Sequence, residues 1–88
     1  MIPIHELLSR IRWDEEYGRA DFIIGYYDRL ADTIIHVPLQ DISFDPEDHF
    51  DFFIRGEEGE MLSIPLHRVR QVFRNGKIVW ERHGDTRV

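Results

Sequence analysis

Asn75-Gly76 lies between two β-forming runs, Val69 to Arg74 and Lys77 to Arg82. A two-residue hairpin turn needs positive φ at its central positions, and Asn and Gly both tolerate it. This dipeptide is therefore the strongest short-range signal for a β-hairpin. It commits the C-terminal part of the chain to antiparallel pairing. On a regular strand Val69, Gln71 and Phe73 share one face, and Arg70, Val72 and Arg74 the other. Counting back from the turn sets Arg74 opposite Lys77, Val72 opposite Val79 and Arg70 opposite Glu81. Trp80 then lies on the opposite face, near Gln71.

The N-terminus has a different period. Ile4, Leu7, Leu8 and Ile11 fall at i, i+3, i+4 and i+7, one face of a helix. Pro3 suits the first helical position, and Glu6 near the start with Arg10 and Arg12 near the end match the helix dipole. The spacing predicts a helix over 3–12, with Trp13 packed beneath it and a charged loop over 14–19. Residues 21–30 and 33–39 are rich in Ile, Tyr, Phe and Val and read as two paired strands around a turn at Ala31-Asp32. Residues 40–44 read as a short extended piece and 45–48 as an acidic turn. Phe50, Phe52 and Ile54 alternate along a further strand. Residues 56–59 form a loop, 61–66 are extended, and 83–88 are a polar tail.

These elements define one α+β domain over 1–88, with an ordered core of about 3–82. One N-terminal helix packs on a curled, mostly antiparallel sheet of about five or six strands. A chain of 88 residues buries only about 60–65% of its unfolded surface, which favours a shallow surface site over a deep pocket. With no cysteine there is no disulfide and no thiolate nucleophile or zinc ligand, which suits a cytoplasmic chain. No apolar run reaches the roughly 20 residues that span a membrane, and Met1 to Glu6 does not read as a signal peptide.

The net charge of −6 argues against a protein that coats nucleic acid, because such binders neutralise many phosphates. The charge is unevenly placed. Residues 64–88 hold six Lys/Arg against two acids, whereas residues 1–63 hold five Arg against 15 acids. A basic patch on an acidic body can take one or two phosphates while repelling a long polyanion.

Three places could carry that function. His67-Arg68 follows Ile64-Pro65-Leu66, a stiff extended lead-in that can hold a guanidinium fork and an imidazole donor together. Arg70, Arg74 and Lys77 share one face of the hairpin. Tyr27 and Arg29 share one strand face, an aromatic beside a cation that could receive a base and its phosphate. Each also has a plainer reading: a structural histidine, a solvated hairpin end, a packed tyrosine beside a solvated arginine. The five histidines (His5, His36, His49, His67, His83) show no compact ligand spacing, so no metal or other cofactor is expected. Ser9, Ser43 and Ser63 lie in no nucleophile motif.

Leu7-Leu8-Ser9-Arg10-Ile11 ending in Arg12-Trp13-Asp14, then Tyr27-Asp28-Arg29, Ile64-Pro65-Leu66-His67-Arg68-Val69 and Ile78-Val79-Trp80 together resemble the RNA cyclic-group end recognition domain family, from about Pro3 to Arg82. The resemblance implies a small domain, alone or joined to RNA-modifying enzymes, that recognises RNA termini bearing a 2′,3′-cyclic phosphate or a related end in RNA repair or processing. By motif it points to His67 and Arg68, then Arg29, with Arg70 and Tyr27 adding charge and a stacking surface. The expected function is a non-catalytic RNA-end binder, with an RNA-processing enzyme as a possible partner. One rival is a protein-interaction domain whose acidic face, Asp45 to Asp51 with Glu57, Glu58 and Glu60, docks a basic enzyme. The other is a small phosphoesterase using His67.

Overall fold

The computed structural model describes residues 2–45, 47 and 50–82. The tail at 83–88 and parts of the acidic turn at 45–48, with His49, lie outside the described residues. Helix α1 (Ile4–Trp13) is followed by a one-turn helix α2 (Glu15–Gly18) and seven strands: β1 (Phe22–Asp28), β2 (Thr33–Pro38), β3 (Ile42–Ser43), β4 (Asp51–Arg55), β5 (Met61–Pro65), β6 (Val69–Arg74) and β7 (Lys77–Glu81). The architecture is α+β, but the strands form two antiparallel sheets rather than one. One is four-stranded in the order β2-β1-β6-β7, and the other is three-stranded in the order β3-β4-β5. Two 3-10 turns, Leu39–Asp41 and Leu66–Arg68, carry the chain between the sheets. Among the described residues no helix is long and apolar enough to cross a membrane.

The core lies against one face of the four-stranded sheet. Ile4 and Leu7 of α1 pack with Ile24 and Tyr26 of β1, Ile42 of β3, Phe52 of β4, Val69 and Val72 of β6 and Trp80 of β7. Tyr26 and Phe52 meet edge to face at 5.8 Å, joining the two sheets. Trp80 donates its indole N–H to the carbonyl of Ile2 at 2.8 Å, which holds the start of α1 against the end of β7.

Several local expectations are corrected. The charged segment after α1 is helical because Asp14 caps it, its side chain accepting the Tyr17 amide at 3.1 Å. Trp13 does not pack beneath α1; it is 78% exposed. Phe50 is likewise exposed, whereas Phe52 is buried. The piece at 40–44 begins as a 3-10 turn and continues as β3. His67 and Arg68 lie in a 3-10 turn, not an extended lead-in: Pro65 caps that turn, and the Leu66 amide bonds the Phe50 carbonyl at 2.7 Å.

The turn at Asn75-Gly76 forms as expected, with φ of 51° and 84°. Asn75 and Asp21 also exchange two hydrogen bonds, at 2.8 and 3.0 Å. The register beyond the turn differs. A bulge shifts the pairing, so that Val72 faces Trp80 and Gln71 faces Glu81. Trp80 therefore shares the core face with Val72 instead of lying near Gln71. A second bulge, between Gly25/Gln71 and Tyr26/Val69, leaves Arg70 as the extra residue on β6. It puts both Val69 and Val72 in the core, which regular alternation forbids.

Candidate functional site

Antiparallel order sets the chain ends of neighbouring strands side by side. β1 leaves the four-stranded sheet at Tyr27 and Asp28. β6 enters it at Val69, at the same end, and β7 leaves it there at Glu81. Arg29, His67, Arg68, Arg70 and Arg82, far apart in sequence, thus gather at one end of one sheet.

Arg70 is the centre of this group. As a bulge residue it is released from regular pairing. Its guanidinium turns back to donate to the His67 carbonyl at 3.0 Å and lies 5.8 Å from the centre of the Tyr27 ring. Tyr27 is fixed in turn, its hydroxyl donating to Asp32 at 2.6 Å. That bond, then burial and the Asp32 charge, hold the phenol above its usual pKa of 10.0, against the opposing pull of Arg29 and Arg70. His67 is exposed and Arg68 half-buried. His67 meets Arg70 through its backbone carbonyl, and the Arg68 side chain makes no hydrogen bond or ion pair among the described residues.

Arg82 was not singled out from the sequence. Its amide donates to the Arg70 carbonyl at 2.8 Å, and its guanidinium lies 5.1 Å from the Trp80 ring. Burial, and secondly the Arg70 charge, pull its pKa down from the usual value. Its Nε is buried and has no hydrogen-bond partner among the described residues. The bulge in the β6–β7 hairpin is the cause. Without it Arg70 would face Glu81 and be neutralised; with it Glu81 moves to Gln71, and Arg82 is the residue that bonds Arg70. A predicted ion pair is replaced by two neighbouring cations.

The chain has 17 acids, yet the ion pair formed among the described residues is elsewhere, between Arg10 and Asp14 at 3.9 Å. Arg29, Arg68, Arg70 and Arg82 have no carboxylate partner there. An uncompensated cation next to another is unfavourable unless water or an anion screens it. This end of the sheet is therefore suited to an anion, and Arg in particular to phosphate. Two grooves, of about 630 and 890 Å³, are lined by other residues.

Arg74, grouped with Lys77 from the sequence, has a structural role. It donates to the Tyr17 carbonyl at 3.2 Å, lies 4.7 Å from the Tyr17 ring and fastens α2 to β6.

The fold presents this cationic end on a small α+β module, and sequence comparison assigns its family. Residues 1–82 match the model of the MJ1316 RNA cyclic group end recognition domain, and the chain belongs to that family. It is also similar to a UPF0248 protein of Saccharolobus islandicus strain L.S.2.15, 31% identical over 86 residues, covering 92% of this chain and 100% of the relative. A UPF0248 protein of Saccharolobus solfataricus strain P2 is 29% identical over 84 residues, covering 92% of this chain and 98% of the relative. No solved structure matches the chain.

Proposed function

We propose that the chain is a binding module for the phosphorylated 3′ end of an RNA, the 2′,3′-cyclic phosphate in particular, acting in RNA repair or processing. The observation that carries this reading is the set of arginines that have no carboxylate partner among the described residues, at one end of the four-stranded sheet, in a family whose name specifies recognition of an RNA cyclic group end. Arg70 and Arg82 supply the first contacts to the phosphate, and His67, Arg68 and Arg29 complete its surroundings. Tyr27, held by Asp32, walls the site. The role is binding rather than turnover.

Magnitudes fit a reader of ends. A hydrogen bond to a charged group contributes about 1.5–3 kcal/mol. Two or three of them, less the cost of association, give weak binding. One phosphate neutralised gives a slope of log K against log salt of about −0.7, independent of RNA length, whereas a coating protein gives a slope that steepens with contacts. The acidic body keeps the rest of the RNA away.

The test is an NMR titration of the 15N-labelled chain with two short RNAs, identical except for a 2′,3′-cyclic phosphate or a hydroxyl at the 3′ end. The expected result is shifts around Tyr27, Arg70 and Arg82 with the cyclic phosphate alone. Equal shifts with both RNAs, or none with either at millimolar concentration, overturn the proposal. In that event a second reading, docking of a basic protein partner, gains ground. Its own observation is the pair of exposed aromatics Trp13 and Phe50 on the larger groove, beside the acids Asp45 and Asp51.

A further inference from the structure

The outer face of the four-stranded sheet has no covering layer among the described residues. It carries Ile23, Gly25 and Tyr27 of β1, Ile34, His36 and Pro38 of β2, Gln71 and Phe73 of β6 and Ile78 and Glu81 of β7, with Glu81 directly opposite Gln71. None of their side chains belongs to the core or packs against it. The solvated face of an antiparallel sheet is ordinarily polar. A face with two aromatic rings, an imidazole and three isoleucines, of which Ile78 is exposed and Ile23, Ile34, Tyr27 and Phe73 are half-buried, is a candidate binding surface.

Its centre is built with some specificity. His36 Nε2 and Gln71 Oε1 lie 3.1 Å apart; with Nε2 protonated the imidazole donates to the amide. The His36 ring leans on Phe73, with centroids 5.8 Å apart and planes at 57°. Both side chains lie across Gly25. A Cβ there would come within 2.9 Å of Gln71 Oε1, 3.1 Å of Ile34 Cγ2 and 3.2 Å of His36 Cδ2, so a larger residue would push these side chains out of this arrangement. The Gln71 amino group keeps both its donors uncommitted among the described residues.

The position of this centre matters. Gly25 is two residues from Tyr27 on the same face, about 7 Å along the strand. Gln71 directly follows Arg70. A phosphate on Arg70 and Arg82 thus has its own nucleotide's base within reach of the His36–Gln71–Phe73 cluster. Aromatic side chains accept any base by stacking, because every base has a π-face.

Resting on the phosphate site above, we propose that the outer sheet face at Gly25, His36, Gln71 and Phe73 is a nucleobase subsite. The terminal base stacks on the exposed His36 ring and meets the tilted Phe73 ring at an angle, with the Gln71 amino group donating to its edge. The ligand is a nucleoside 2′,3′-cyclic phosphate or the RNA end that carries one, held at two points.

The test titrates the labelled chain with adenosine 2′,3′-cyclic phosphate and, separately, with ribose carrying the same cyclic phosphate and a methoxy group in place of the base. The nucleotide is expected to shift both the Arg70–Arg82 end and Gly25, His36, Gln71 and Phe73; the base-free compound shifts the arginine end alone and binds about tenfold more weakly, within the range of a lost base–aromatic stack. His36→Ala, at an exposed position, and Phe73→Ala should each bring nucleotide affinity toward that of the base-free compound. Shifts at the arginine end with neither variant having an effect overturn the base subsite and leave the phosphate site standing. No shifts with either compound overturn both.

Discussion

The two faces of the four-stranded sheet are made from the same strands but face different demands. The inner face holds Ile24, Tyr26, Val69, Val72 and Trp80, buried under α1 and the three-stranded sheet. The outer face holds Tyr27, His36, Gln71 and Phe73 with little above them. Substitution on the inner face is limited by packing; on the outer face the proposed base subsite is the main constraint expected. Stability and recognition can therefore vary almost independently, although their residues alternate along each strand.

The largest expected effect tests the core beneath the inner face, through Phe52 of β4 in the three-stranded sheet. Phe52→Ala empties a 1% exposed position and should cost about 3–5 kcal/mol in urea denaturation, on the order of the stability of a domain this small. The fraction still folded should bind an RNA end as before; an affinity loss beyond the unfolded fraction would break the division of labour. Next is Arg70→Gln, which should weaken binding of a cyclic-phosphate RNA by about tenfold, the share of one charged hydrogen bond, and leave the denaturation midpoint nearly unchanged. Tyr27→Phe should act through pH. The folded state favours the neutral phenol, so this contribution is complete below pH 10.0 and is lost as pH rises through 10.0 toward the raised value. The variant should show a shallower alkaline fall in stability than the parent, measured by melts across that range; an identical fall would assign the effect to Tyr26, whose burial also raises its pKa. The smallest effect belongs to Glu57→Lys with Glu58→Lys, in the exposed β4–β5 loop. RNA-end affinity should be unchanged, and a clear change would bring the acidic surface into recognition.

Much of this was legible in local patterns. Asn75-Gly76, the i, i+3, i+4, i+7 stripe of α1 and the β-branched runs located the helix and most strands, because each depends on neighbouring residues only. What escaped detection depends on one extra residue. The bulge in β7 sends Trp80 into the core and Glu81 away from Arg70, and the bulge in β6 makes Arg70 an extra residue, yet neither leaves a mark in hydrophobic alternation. The division into two sheets escaped for a similar reason: a 3-10 turn of three residues re-aims the chain after Pro65 as readily as a strand would continue it. In the candidate site Tyr27 and Arg70 were named and are adjacent. Arg82 was missed because the simple register set Glu81 in its place, and His36 because a lone histidine on a strand carries no signal until Gln71 and Gly25 are beside it.

The two tryptophans give the molecule a built-in pair of optical reporters. Trp80 is 6% exposed and bonded to the Ile2 carbonyl, and Trp13 is 78% exposed. Emission from the native chain is therefore a composite of a shielded indole and a water-facing one that iodide can quench. Replacing Trp13 by phenylalanine removes the wet component and leaves a single tryptophan in the core behind the cationic end, where Arg82 lies 5.1 Å from its ring. A ligand that draws Arg82 away would be seen there as a change in brightness, without any label attached.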